Sequence, residues 1–207
     1  MNKKLLDTLK TLDTDVVVVS KKRTSEQIDE VANYGFTTFG ENRVQEFLEK
    51  YNPKYTWHII GHLQTNKVKY VVGKVDMIQS LDSIKLAKEI EKQATKQNLI
   101  QKCLVEIHIS DDESKTGLPV CELESFMEEI KNYPHILIKG FMCVAGLDAG
   151  EEKNAEEFDR MKEIFDRYQK ENPQIETLSM GMSQDYKLAI EHGSTMVRIG
   201  TAIFVEE

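Results

Sequence analysis

Eight short apolar runs rich in β-branched residues recur along the chain at intervals of a few tens of residues. They are Val16 to Ser20, Thr37 to Phe39, Thr56 to Ile60, Met77 to Ser80, Cys103 to Ile109, Ile136 to Met142, Thr177 to Ser179 and Met196 to Ile199. Between them lie segments of helical period, clearest where Leu123, Phe126, Met127 and Ile130, and then Met161, Ile164, Phe165 and Tyr168, follow the i, i+3, i+4, i+7 pattern. The first run, VVVV, is continuously apolar rather than alternating, as in a strand covered on both faces of a parallel sheet. Strand and helix in strict alternation predict an α/β fold.

Eight such units close a (β/α)8 TIM barrel, and the Leu5, Leu6, Leu9, Leu12 stripe supplies an extra N-terminal helix against its outside. A doubly wound open sheet is the structural alternative. The 207 residues fit a single domain, 1–207, since one hydrophobic core grows to this size before a chain splits. The longest polar stretch, Leu147 to Glu157, reads as a surface loop entering a helix.

A formal charge of −8 disfavours nucleic acid or an anionic membrane as partner, because both require a basic surface. The three cysteines, Cys103, Cys121 and Cys143, are odd in number and widely spaced, which fits a reducing cytoplasm and neither a disulfide framework nor a zinc site. No apolar run has the length of a membrane span or a signal segment.

In a barrel the reactive groups follow the C-terminal ends of strands. After the first strand stands Ser20-Lys21-Lys22-Arg23, where Lys21 leaves an apolar run and can turn into the barrel mouth, partial desolvation favouring the free amine that Schiff-base chemistry needs. The plainer reading, an exposed strand-end lysine among 27 lysines and arginines, is not separated from it by spacing. After the seventh strand, Ser183 opens a helix expected over Gln184 to His192, either meeting an anion at its positive end or simply capping it. After the eighth, Gly200 allows close backbone approach and Thr201 adds a hydroxyl, so the two loops converge where barrels bind phosphate. Arg198 faces the barrel interior and wants an acceptor, in a salt bridge or on a ligand. Asn42 follows the second strand as a ligand donor or a turn residue. His58 and His62 have the spacing of metal ligands on a helix, but they belong to a strand and its loop, so no metal is expected.

Taken together, VVVVSKKRT at 16–24, FGENRVQE at 39–46, WHIIGHLQTNK at 57–67, ISDDESKTG at 109–117 and LSMGMSQDYKLAIEHGSTMVRIGTAIF at 178–204 resemble the YggS/PROSC-like pyridoxal phosphate homeostasis proteins. The resemblance runs nearly end to end. It implies a barrel like the alanine racemase N-terminal domain, with pyridoxal 5′-phosphate (PLP) held as an internal aldimine on Lys21. It also implies phosphate contacts at Ser183, Gly200 and Thr201, Arg198 facing the pyridine nitrogen, and Asn42, His58 and Met142 beside the ring, with Lys115 as a second amine that exchanges with PLP. A fixed cation at the ring nitrogen leaves the ring poorly protonated and a weaker electron sink. Two features depart from the family pattern: no proline follows in Lys22-Arg23-Thr24, and the N-terminal helix is short.

The function so implied is intracellular PLP homeostasis by a cytoplasmic monomer that binds and releases PLP with little or no catalysis and touches PLP-dependent apoenzymes at most transiently. The alternative is a PLP-dependent racemase-like enzyme, with Lys21 as base on one face. Racemisation needs a second acid/base on the other face. Alanine racemases take it from an added domain for which 207 residues leave no room, so the expectation is a binding protein without catalytic residues. A barrel enzyme acting on a small phosphorylated metabolite is what remains if the resemblance is set aside.

Overall fold

The computed structural model describes residues 1–110, 116–146 and 150–205. The valine run forms β1 (Asp15–Val19), and Val17 and Val18, on opposite faces, are both buried because one face of the barrel wall meets the helices and the other the packed interior. The other runs form β2 (Thr38–Glu41), β3 (Thr56–Ile59), β4 (Met77–Leu81), β5 (Gln101–His108), β6 (Ile136–Met142), β7 (Thr177–Met182) and β8 (Met196–Ile199). Each pairs in parallel with its sequence neighbours, β1 pairs with β8, and the β4–β5 pairing completes the ring. That last pairing excludes the open doubly wound sheet and establishes the barrel. A two-residue strand, Leu118–Pro119, adds to β5 at its C-terminal end.

Alternation along the strands divides the core in two. On β5, Cys103, Val105 and Ile107 join the main cluster against the helices, while Leu104 between them joins Met77 and Met142 in a separate cluster inside the ring. The outer layer is α2 (Ser25–Asn33), α3 (Val44–Lys50), a 3₁₀ turn at Thr65–Tyr70, α4 (Ile84–Gln97), α5 (Leu123–Ile130), α6 (Glu151–Glu171) and α7 (Tyr186–Glu191). α6 begins inside the stretch expected as a surface loop: Glu157 is buried and accepts the Gly146 N–H at 3.0 Å, which ties the helix to the end of β6. Leu147 at the head of that stretch lies outside the described residues.

The leucine stripe does form a helix, α1 (Lys3–Lys10), which buries Leu6 and Leu9. The Asn2 N–H reaches the Ile203 carbonyl just past β8 at 2.8 Å, so α1 covers the barrel where a helix after β8 would lie. No described helix is long and apolar enough to cross a membrane.

Candidate functional site

At the C-terminal ends of β1, β2, β7 and β8 opens a cavity of about 900 Å³, lined among others by Lys21, Asn42, Ser183, Arg198, Gly200 and Thr201. Six of the nine residues that the sequence assigned to the cofactor are thus brought together.

Lys21 sits on a turn that is fixed from both sides. Upstream, buried Ser20 donates its hydroxyl to Glu41 Oε1 at 2.7 Å, and Lys50 Nζ donates to the same oxygen and to the Ser20 carbonyl, each at 2.9 Å. Downstream, Glu46 accepts the Lys22 N–H at 2.7 Å. Thr24 and Gln27 then close a reciprocal capping box that starts α2. Lys22 carries a φ of 59°, a left-handed turn that a lysine adopts only when its surroundings impose it. The result is an amine on a rigid stalk. Lys21 itself is exposed, so the desolvation expected of it is not there. Burial pushes the Glu41 carboxyl up, against the Ser20 and Lys50 hydrogen bonds that pull it down. The Lys22 N–H draws Glu46 below the usual carboxylate range.

The opposite wall owes its shape to a bulge. Ser179 pairs with Met196 and Met182 with Arg198, so β7 spends three steps where β8 spends two. Gly181 takes up the excess at a φ of +96°, with Ala189 packed where a Cβ would stand. The displaced chain brings Ser183 over β8, where its hydroxyl oxygen accepts the Gly200 N–H at 3.3 Å. The expected helix from Gln184 is shorter: α7 spans Tyr186–Glu191, and the Asp185 carboxylate ahead of it turns back to accept the Met182 N–H at 2.6 Å, tightening the loop rather than capping the helix. Ser183 is therefore no helix cap; its hydroxyl belongs to the loop pair. Gly200 approaches Val19 so closely that a Cβ would lie 3.0 Å from the Val19 Cβ.

Arg198 forms the floor. It is 4% exposed, and it donates from Nη1 to Ser179 Oγ at 2.7 Å and from Nη2 to the Cys143 carbonyl at 2.8 Å. Its role as a salt-bridge partner is not seen among the described residues; its partners are neutral oxygens. Burial draws the guanidinium down from its ordinary value.

His58 and Met142 are not among the lining residues. Met142 packs with Met77 and Leu104 inside the ring. His58 is buried on β3, its Nδ1 2.9 Å from Gln79 Nε2, and burial holds the imidazole down to about 4. Lys115 lies outside the described residues. Glu41, Lys50, Ser179 and Gln79 went unread in the sequence. Polar residues inside the apolar strands TFGE and MIQSL were a signal for Glu41 and Gln79, since such groups need partners; Lys50 had none.

The chain matches the family model of the alanine racemase N-terminal domain over residues 3–207. It is 43% identical over 192 residues to the pyridoxal phosphate homeostasis protein of Aquifex aeolicus, covering 90% of this chain and 84% of that one. It is 39% identical over 197 residues to the protein of the same name from Pasteurella multocida, covering 91% and 84%. Among solved structures it resembles PipY of Synechococcus elongatus with PLP bound, at a TM-score of 0.90 and 29% identity over 98% of this chain and 99% of that one. Clostridium difficile alanine racemase shares the fold at a TM-score of 0.77 and 14% identity, over 100% of this chain and 56% of that one.

Proposed function

The chain belongs to the alanine racemase N-terminal domain family, alongside the pyridoxal phosphate homeostasis proteins, and on that premise we propose that it binds PLP in the cavity at the strand ends, covalently through the Lys21 amine, and holds and releases the cofactor rather than catalysing with it. The observation that carries this reading is the arrangement of the cavity: an exposed amine on a fixed turn faces two loops rich in hydrogen-bonding groups, with a guanidinium between them.

The residues fit the group. The bond from Gly200 N–H to Ser183 Oγ is long at 3.3 Å, and both partners turn readily to a phosphate oxygen, joined by the Thr201 hydroxyl. Gly200 packs so tightly on Val19 that a side chain there would push the loop by a few tenths of an ångström. Arg198 spends two of its N–H donors on Ser179 and Cys143 and has others for a ring nitrogen. Asn42 offers an amide beside the ring.

When bound, PLP supplies an electrophilic aldehyde carbon and a pyridine ring that withdraws electrons from whatever is attached to it. Arg198 tempers the second property, because a guanidinium has no proton to give up at ordinary pH and keeps the ring nitrogen an acceptor. A site built this way holds the cofactor through its aldehyde and phosphate ends while limiting its carbanion chemistry. The names of the relatives support holding over catalysis; the likeness to alanine racemase bears on the fold alone. A cytoplasmic monomer that meets apoenzymes only transiently completes the proposal.

The test is spectroscopic. Wild-type protein mixed with PLP should turn yellow, and borohydride treatment should fix the cofactor's mass on the peptide carrying Lys21. Lys21→Ala should show neither effect. Sustained racemisation of added amino acids at enzymatic rates would overturn the holding function, and an unchanged spectrum in Lys21→Ala would overturn the attachment site.

A further inference from the structure

We infer that Ser179, Gln79 and His58 are positioning residues for Arg198, linked in a one-way chain of hydrogen-bond donors through the barrel interior that locks the guanidinium at the floor of the cavity. The inference rests on the proposed PLP site and adds to it Ser179 from β7 together with His58 and Gln79 from two further strands, β3 and β4.

The direction of the chain follows from the chemistry of its first member. Arginine cannot accept a hydrogen bond, so at the 2.7 Å contact of Nη1 with Ser179 Oγ the serine must be the acceptor. The single Ser179 hydroxyl proton is then free to go to Gln79 Oε1, 2.7 Å away. With its carbonyl oxygen so engaged, Gln79 turns Nε2 toward His58 Nδ1 at 2.9 Å, and the nitrogen that receives a donor carries no proton. The imidazole proton therefore sits on Nε2, which points to Asp76 Oδ2 at 3.8 Å. Asp76, paired with Lys102 at 2.9 Å, precedes β4 at the opposite end of the barrel from the cavity. One residue that can only donate thus sets the orientation of a hydroxyl, an amide and an imidazole in succession.

Burial makes that orientation exclusive. Arg198, Ser179, Gln79 and His58 are 4%, 0%, 0% and 3% exposed, and Met196 packs on the Gln79 amide with its sulfur 3.3 Å from Nε2. A flipped Gln79 amide would set Nε2 against Ser179 Oγ and leave the buried hydroxyl proton without an acceptor, and it would force the imidazole proton from Nε2 to Nδ1, away from Asp76. The Cys143 carbonyl pins the second guanidinium nitrogen, so Arg198 has no freedom to swing away from the cavity.

The experiment compares Ser179→Ala, which removes the second link, with Ser179→Thr, which keeps the hydroxyl. Ser179→Ala should still take up PLP, with an altered ratio of its absorption bands at fixed pH and release about tenfold faster, the scale of one lost charged hydrogen bond. Ser179→Thr should restore the wild-type spectrum. Should Ser179→Ala not fold, His58→Leu against His58→Asn makes the same comparison at the far end. Nitrogen-15 NMR of the cofactor-free protein gives an independent reading and should find His58 protonated on Nε2 alone. A His58 protonated on Nδ1, or variants with lowered melting temperature but the wild-type spectrum and release rate, would overturn the inference. A wild type with the predicted tautomer that never colours with PLP would overturn the cofactor reading, and with it the role assigned to the chain, while leaving the hydrogen-bond direction standing.

Discussion

Lys50 Nζ lies 2.9 Å from Glu41 Oε1, and the two side chains are 10% and 0% exposed. This pair joins α3 to the end of β2 and, through the Ser20 carbonyl and hydroxyl, holds the turn that carries Lys21. Its loss would leave a buried charge behind at the edge of the cavity.

Lys50→Met should accordingly destabilise the protein by about 3 kcal/mol, the usual cost of stranding one member of a buried pair. Adding Glu41→Gln should recover much of that loss, a coupling that urea denaturation of the two single variants and the double variant measures. The sign with pH is set by Glu41. Its folded carboxyl is already raised by burial and rises further without Lys50, so the deficit of Lys50→Met should shrink as pH falls and the carboxyl takes up a proton.

His58 gives the opposite slope. Its folded value, about 4 against 6.5, is set by burial, with Asp76 opposing and Lys102 adding to it. Between those values the unfolded chain binds the proton and the folded one does not. Stability from His58 is therefore complete above pH 6.5 and is lost as pH falls toward 4, by an amount on the order of 3 kcal/mol. His58→Asn keeps an acceptor for Gln79 and does not titrate; chemical denaturation between these pH values should show a flatter profile than wild type.

Gly181→Ala places a Cβ at a φ of +96° and 2.6 Å from the Ala189 Cβ. Strain and overpacking together should cost roughly 2–4 kcal/mol and lower the melting temperature by several degrees. Because the bulge carries Ser183 to the cavity, PLP affinity measured by equilibrium dialysis should fall as well.

Gly200→Ala should divide these effects differently. Its Cβ would meet Val19 Cβ at 3.0 Å and the Val19 carbonyl at 3.3 Å, contacts that a few tenths of an ångström of strand movement relieve. The expected outcome is a small change in melting temperature and a loss of PLP affinity of about tenfold, one displaced phosphate contact.

The sequence carried the strands because each is a run of apolar residues with helical periods between, and the consecutive burial of Val17, Val18 and Val19 was legible in the valine run. It carried Lys21, Ser183, Gly200 and Thr201 because barrel sites gather at known strand ends and because whole segments resembled a family. It could not carry what depends on three-dimensional neighbours. The Gly181 bulge decides where Ser183 points, yet a glycine between two methionines looks no different from one in a plain strand. His58 is read most simply as a strand residue facing a pocket, and only the position of Gln79 across the barrel turns it into the end of a buried chain. Lys50 is one of many helix lysines until Glu41 is placed beneath it.

Pairing of β1 with β8 has a consequence for the order of events during synthesis. Val16 meets Val197, so the ring cannot close until its last strand has left the ribosome. Lys21 is made well before Ser183, Gly200 and Thr201, and only closure sets them face to face. In the proposed site, a nascent chain therefore presents the Lys21 amine without the loops opposite it, and the cofactor should gain its full hold only on a closed ring. Bound PLP then favours the completed ring over every open form by mass action, which makes uptake of the cofactor a selective brake on unfolding.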